Sequence, residues 1–155
     1  MKKVISVILM MLMCALAGCD TETPVNDSDT SAPEAQEQVL VDDDNIKVTF
    51  VEVFEEPSIA GAGYLRLKVT NKTDKTVTVY PKDAYVNDMA VTLGSGVPMT
   101  LASGKSSQAP FIIFYSNIGI TSKDEIEKIE LKLTFDDENY DTIVETETLV
   151  IDRIR

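Results

Sequence analysis

The sequence contains no His, no Trp and only two Cys among its 155 residues. Without His, the chain lacks the usual base of Ser-His and Cys-His nucleophile systems and the most common zinc ligand. Basic residues are also few, since 14 Lys and Arg stand against 26 Asp and Glu, for a formal net charge of −12. Nucleic-acid binders neutralise phosphates with Lys and Arg, so this balance argues against a nucleic-acid partner. The length favours one domain.

The N-terminus has the pattern of an export signal. Lys2 and Lys3 precede an apolar run from Val4 to Ala17, interrupted only by Ser6. This run is shorter than the roughly 20 residues that span a bilayer, and it fits the apolar region of a secretory signal. A buried core helix is the alternative interpretation of the same residues.

The end of that run, Leu16, Ala17, Gly18 and Cys19, resembles the lipobox of bacterial lipoproteins. The resemblance implies cleavage before Cys19 and a diacylglyceryl group on its thiol, which anchors the chain at the extracytoplasmic face of the cell membrane. Two acyl chains hold a small protein firmly, because each buried CH₂ contributes about 0.8 kcal/mol. The mature chain would then have neither a free thiol nor a disulfide, because Cys14 leaves with the signal peptide, residues 1–18.

An acidic, proline-containing stretch follows the lipobox. Residues 20–44 include nine Asp and Glu and no Lys, Arg or aromatic residue. Such a composition buries too little apolar surface to offset its ordering entropy, so residues 19–44 are predicted to be a lipidated Cys followed by a disordered linker. An acidic interaction tail, or a weak cation site at residues 42–44, is the alternative. Residues 45–155, with 12 basic and 17 acidic side chains, have a more balanced charge.

From residue 45 onward, apolar and polar residues alternate with a period of two. The clearest runs are residues 46–50, 65–70, 76–80 and 129–135, and Ile143–Ile151 is predicted as the last strand. This alternation is typical of antiparallel sheets with one buried face. A shift of phase at Val51 indicates a bulge or a strand buried on both faces. About seven to nine short strands are expected, which favours an all-β, Ig-like antiparallel sandwich over residues 45–155.

Turn residues separate these runs. Asn87 and Asp88 predict a two-residue hairpin, because both tolerate positive φ. Pro110 indicates a strand start or a bulge before the apolar run 111–115. Ser122 and Glu125 match a capping box, which predicts a single helical turn. The five Tyr fall mostly within strand patterns and are interpreted as packing residues.

The arrangement of lipobox, acidic linker and β-domain resembles the small Ig-like lipoproteins of Gram-positive bacteria, many of unknown function. The resembling stretches are residues 63–75, 85–88, 102–105 and 124–129. The resemblance implies an extracellular Ig-like fold and supplies no catalytic residues. Residues 45–155 contain no Cys and no Trp, which excludes an antibody-type domain.

One turn is a candidate cation site. Asp136, Asp137, Glu138 and Asp141 place several hard oxygen ligands close together, as Ca²⁺ prefers, but the EF-hand glycine is absent. A solvated β-turn is the competing interpretation. No cofactor and no catalytic constellation is predicted, since no spacing identifies the carboxylate pair that a glycosidase needs.

The sequence therefore predicts a membrane-anchored extracytoplasmic lipoprotein that is not an enzyme. Its Ig-like domain is expected to bind an envelope protein or an extracellular ligand. An accessory or sensor that binds a small solute or a cation is the alternative function. A sizeable polar-lined pocket would favour the solute, and a flat surface patch would favour a protein partner.

Overall fold

A computed structural model of the chain describes residues 37–152. The signal peptide, the lipobox with Cys19 and most of the predicted linker lie outside the described residues. The described part consists of ten β-strands and two single 3₁₀ turns, Tyr115–Asn117 and Lys123–Glu125. The strands are β1 Gln38–Asp42, β2 Ile46–Glu55, β3 Ala62–Asn71, β4 Val77–Val86, β5 Met89–Val91, β6 Met99–Leu101, β7 Ser106–Phe114, β8 Lys128–Asp136, β9 Thr142–Glu145 and β10 Leu149–Asp152.

The strands form two antiparallel sheets. Sheet A has the order β1-β2-β3-β7, and sheet B has the order β10-β8-β4-β5, with β6 also paired to β4 and β9 to β8. Strand β3 pairs with the distant β7, and β4 pairs with the distant β8, so the chain crosses repeatedly between the sheets. These two pairings, with β2 beside β3 and β10 beside β8, make the Greek key of an Ig-like β-sandwich. The predicted fold class is confirmed.

The core lies between the sheets and is built from the apolar positions of each alternating run. In β3 the side chains of Leu65, Leu67 and Val69 point inward, and in β8 Ile129, Leu131 and Leu133 do the same; all six are fully buried. Among residues 37–152, no buried side-chain nitrogen or oxygen lacks a hydrogen-bond partner. Hydrophobic burial and satisfied polar groups stabilise this fold, and residues 37–152 contain no Cys that could form a disulfide.

Strand β1 corrects the predicted start of the domain. Residues 38–42 belong to the predicted linker, yet they pair with β2 from Gln38 opposite Phe50 to Asp42 opposite Lys47. Leu40 and Val41 are half-buried against the core. Three consecutive apolar residues, 39–41, supply a short strand that the surrounding acidic residues concealed.

Two strands differ from their predicted extents. Strand β7 begins at Ser106, so Pro110 lies inside it; β7 ends the β1-β2-β3-β7 sheet, where a missing N–H is tolerated. The predicted strand at residues 143–151 is divided into β9 and β10 at Thr146. There the Thr146 hydroxyl accepts a 2.9 Å hydrogen bond from the Leu133 N–H, so a side chain replaces the regular strand pairing. This division and β1 bring the number of strands to ten.

Three local predictions are confirmed. The register of β2 against β3 shifts between Phe50 and Glu52, which is the bulge predicted at Val51. Asn87 and Asp88 have φ values of 49° and 64° and connect β4 to β5 as a two-residue hairpin. The 3₁₀ turn after Ser122 has Glu125 reaching back, and its carboxylate accepts from the Ser122 N–H at 3.2 Å.

The sandwich has two distinct ends. The apical end comprises the turn at residues 43–45 and the loops at 72–76, 102–105 and 137–141; the basal end comprises the loop at 56–61, the hairpin at 87–88 and the segment 115–127. Strand β1 runs towards the apical end, because Asp42 is followed by the apical turn. No helix among residues 37–152 is long and apolar enough to cross a membrane.

Candidate functional site

The apical end is organised around Asn71, the last residue of β3. Its side chain is fully buried, and its amide donates to the carbonyls of Lys75 at 2.8 Å and Leu101 at 3.0 Å. Its amide oxygen accepts from the backbone and the hydroxyl of Thr73, at 3.0 and 2.7 Å. One buried side chain therefore fixes the loop 72–76 and joins it to the end of β6.

Further contacts tie the remaining apical loops together. The Ser103 hydroxyl donates to the Thr73 carbonyl at 2.7 Å, and the Gly104 N–H donates to the Asn71 carbonyl at 2.9 Å. An ion pair of 3.1 Å between Lys75 and Asp137 joins loop 72–76 to loop 137–141. The three loops, 72–76, 102–105 and 137–141, thus form one connected surface.

Asp137 shapes the loop between β8 and β9. Its carboxylate accepts from the N–H groups of Asn139 at 2.9 Å and Asp141 at 3.2 Å, in addition to the ion pair with Lys75. These partners, Lys75 above all, lower the pKa of Asp137 below its ordinary value. Tyr140, in the same loop, has a φ of 65° and a side chain that is 81% exposed.

The predicted calcium candidates lie on this loop and at the end of β8, and two of the four, Asp136 and Asp137, have other partners. Asp137 is engaged as described, and Asp136 accepts from the Thr142 hydroxyl at 2.8 Å. Glu138 is exposed and Asp141 is exposed. Among residues 37–152, no group of three or more Asp, Glu, Cys or His side chains has an arrangement that could hold a metal ion. The loop 137–141 is closed by hydrogen bonds of its own backbone and of the Asp137 carboxylate.

A second acidic group at the apical end is also neutralised locally. Asp42, at the end of β1, contacts Lys72 and Lys47, with the Lys47 ion pair at 3.2 Å. The hydrogen bond from Lys72, followed by that from Lys47, lowers the pKa of Asp42. These contacts hold the end of β1 against β2 and the neighbouring loop.

The basal end contains a polar contact that the sequence did not suggest. Glu55 accepts a 2.7 Å hydrogen bond from the buried Tyr115 hydroxyl and a 2.8 Å bond from the Lys123 N–H. The Tyr115 bond, followed by the Lys123 bond, lowers the pKa of Glu55. Burial, followed by the bond to Glu55, raises the pKa of Tyr115. These bonds join the end of β2 to the basal segment 115–127.

Cavities lined by the described residues include one of about 150 Å³ beside Asp83, where the register of β4 against β8 shifts. Two others have volumes of about 260 Å³, between Lys75 and Glu138, and about 170 Å³, beside Tyr115. Each is smaller than the 300–1,000 Å³ that is typical of small-molecule sites. The lining of these three cavities holds no set of catalytic groups, whereas the apical loops form one connected surface.

The tyrosines depart in part from their predicted packing role. Tyr64 and Tyr115 are buried, as predicted, whereas Tyr85 and Tyr140 are exposed. Tyr85 alternates outward on β4, and Tyr140 follows an acidic turn. The surrounding acidic residues were the one signal that Tyr140 lies outside a strand. The predicted anchor residues, Cys19 and the lipobox, lie outside the described part of the chain.

Comparisons with known proteins found no matching family model and no matching curated protein. Similar solved structures include the GAE domain of GGA2p from Saccharomyces cerevisiae, with a TM-score of 0.47, 16% identity, and coverage of 76% of this chain and 96% of that one. The yeast GGA1 GAE domain has a TM-score of 0.41 and 16% identity, covering 76% and 99%. A FixG-related protein from Vibrio parahaemolyticus has a TM-score of 0.40 and 16% identity, covering 73% and 98%. The strand pairings described above, rather than these similarities, establish the fold.

Proposed function

We propose that the protein is a lipoprotein anchored through Cys19 at the extracytoplasmic face of the cell membrane. Its Ig-like domain is proposed to act by binding a protein partner, without catalysis. The observation that carries the proposal is the order of the sequence: a positive start, an apolar run, the lipobox Leu16-Ala17-Gly18-Cys19, an acidic linker, and then one sandwich. This order suits a domain held near a membrane and free to meet other proteins.

The small cavities support a protein partner over a small solute. Solute sites enclose most of their ligand, whereas the three described cavities of about 150–260 Å³ are shallow. The apical loops instead form a continuous, hydrogen-bonded surface. Loops positioned by a rigid sandwich are common places for binding residues.

The anchor is tested with the substitution Cys19→Ala in the full-length protein. We expect loss of membrane fractionation and of metabolic labelling with a fatty acid, because the acylated thiol is missing. Cys14→Ala is the matched control, since Cys14 lies in the predicted signal peptide, and it should retain both properties. Membrane association that persists unchanged in Cys19→Ala would show that the lipid anchor is not at this residue.

Protein binding is tested by crosslinking in whole cells that express the full-length chain. Distinct protein adducts are expected, and their yield should fall when unlabelled purified domain is added to permeabilised cells as competitor. A thermal-shift screen of small solutes and divalent cations runs in parallel. Stabilisation by a solute, together with no protein adduct, would replace this proposal with the solute-binding alternative.

A further inference from the structure

Tyr140 is unusual in both its exposure and its backbone. Its side chain is 81% exposed, although large aromatic side chains usually bury much of their surface. Its φ of 65° places it in the left-handed region, which Gly and Asn adopt readily and bulky side chains adopt rarely. The backbone conformation of Tyr140 therefore costs stability, and little of the residue is buried in return. An exposed, strained residue of this kind points to a role outside the fold.

The surroundings of Tyr140 are held in place. The Tyr140 N–H donates to the Asp137 carbonyl at 3.0 Å, and the Asp137 N–H donates to the Asp141 carbonyl at 3.0 Å. The ion pair from Lys75 to Asp137 then fastens the turn to the loop 72–76. Tyr140 is thus presented from a turn fixed by several bonds, and binding to it requires little ordering of the loop.

The charge of the residues around Tyr140 indicates which kind of partner this surface would bind. Residues 42–45, 71–76, 102–105 and 136–141 contain eight acidic and three basic side chains. Asp42, Asp137 and the Lys residues near them are paired, but Glu138 and Asp141 flank Tyr140 and are exposed. Such a surface favours cationic groups, and an exposed aromatic ring attracts Lys and especially Arg side chains through its face.

We propose that the apical end binds a basic, Arg-bearing segment of a partner protein, with the ring of Tyr140 as the central contact. This inference rests on the proposed function, since it identifies the surface and the partner chemistry for the same interaction domain. Aromatic and Arg residues are the ones that most often dominate the binding free energy of protein interfaces.

The test uses the full-length protein in detergent micelles and a fluorescein-labelled octa-arginine peptide, with octa-glutamate as the probe of opposite charge. Fluorescence anisotropy should show binding of octa-arginine only. Tyr140→Asn removes the ring without changing the charge, and we expect it to weaken binding by about fivefold. Because Asn adopts positive φ more readily, the same variant should have a higher Tm than the wild-type protein.

Two further variants make the result specific. Tyr140→Phe keeps the aromatic face and should bind octa-arginine as the wild type does. Tyr85→Asn removes another exposed tyrosine, on the outer face of sheet B, and should also leave binding unchanged. Equal binding by Tyr140→Asn and wild type, or equal weakening by Tyr85→Asn, would overturn the proposal. If protein adducts in whole cells persist despite such a result, the proposed protein-binding function stands. Only the assignment of the binding surface to the apical end is then wrong.

Discussion

The hydroxyl of Tyr115 donates a 2.7 Å hydrogen bond to the carboxylate of Glu55, which joins the segment after β7 to the end of β2. The same carboxylate oxygen accepts from the Lys123 N–H at 2.8 Å. One oxygen therefore connects the end of β2 to two positions of the basal segment 115–127. The tyrosine that makes this contact is buried, whereas the carboxylate is exposed.

This contact predicts a loss of stability in alkaline solution. Burial and the bond to Glu55 raise the pKa of Tyr115 in the folded state above the ordinary value of about 10. The stabilisation is complete below the unfolded-state pKa and is lost as the pH rises through it towards the folded-state pKa. We expect the Tm to fall above pH 10, and to fall less in Tyr115→Phe. Calorimetry between pH 7 and pH 11 measures both; parallel curves for the two proteins would contradict the prediction.

A close approach of β3 to the same tyrosine predicts a coupling between two positions. A Cβ atom at Gly63 would lie 2.5 Å from the Tyr115 hydroxyl oxygen and 3.0 Å from the nearest ring carbon. Gly63→Ala should therefore lower the free energy of unfolding, by about 1–3 kcal/mol as for other overpacked sites. Part of this loss should disappear in Gly63→Ala combined with Tyr115→Phe, because the closest atom is gone.

Urea unfolding of the wild type, both single variants and the double variant gives the double-mutant cycle that measures this coupling. Gly104→Ala is a contrasting variant, since a Cβ there meets no atom within 4 Å and only its φ of 69° opposes the change. The decrease in the free energy of unfolding caused by Gly104→Ala should therefore be the same with and without Tyr115→Phe. If the changes in the free energy of unfolding caused by Gly63→Ala and Tyr115→Phe simply add, the Tyr115 hydroxyl is not the group that obstructs the new Cβ atom.

The alternating sequence made the sandwich predictable, but not its irregular parts. In residues 129–135 every second side chain is apolar, and a strand with one buried face was the direct consequence. Strand β1 was missed because its three apolar residues stand among acids, and its stability comes from pairing with β2. The division between β9 and β10 depends on the hydrogen bond from the Leu133 N–H to the Thr146 hydroxyl. No local sequence pattern reveals this contact.

The candidate site shows the same limit for a different reason. The acidic residues at 136–141 were visible in the sequence and suggested a cation site. Their hydrogen bonds to the backbone and to Thr142 are local to the turn, whereas the ion pair with Lys75 arises only after β4 and β8 are brought together. The exposure of Tyr140 is likewise a property of the folded turn, since composition alone favours burial of a tyrosine in a strand-rich chain.

Removal of the Asn71 side chain should destabilise the apical end and the whole domain. Asn71→Ala leaves the buried carbonyl of Leu101 and the neighbouring loop without their partners. We expect the free energy of unfolding to fall by about 2–3 kcal/mol, because unsatisfied buried polar groups are costly. Urea denaturation measures the change. Asn139→Ala, in an exposed turn, is the matched control and should change stability by less than about 0.5 kcal/mol; an equal loss in both variants would contradict the role of burial.

The division between β9 and β10 predicts a sharp difference between two threonines. Thr146 is buried, and its hydroxyl is the acceptor for the buried N–H of Leu133 at 2.9 Å. Thr146→Val keeps the shape but removes the acceptor, so we expect a loss of about 1–3 kcal/mol in the free energy of unfolding. Thr148→Val, two residues along and exposed, should be nearly neutral. Amide hydrogen exchange adds a local measurement, since the Leu133 N–H should exchange faster in Thr146→Val by more than the global loss of stability accounts for. Unchanged relative protection of that N–H would show that another group replaces the hydroxyl.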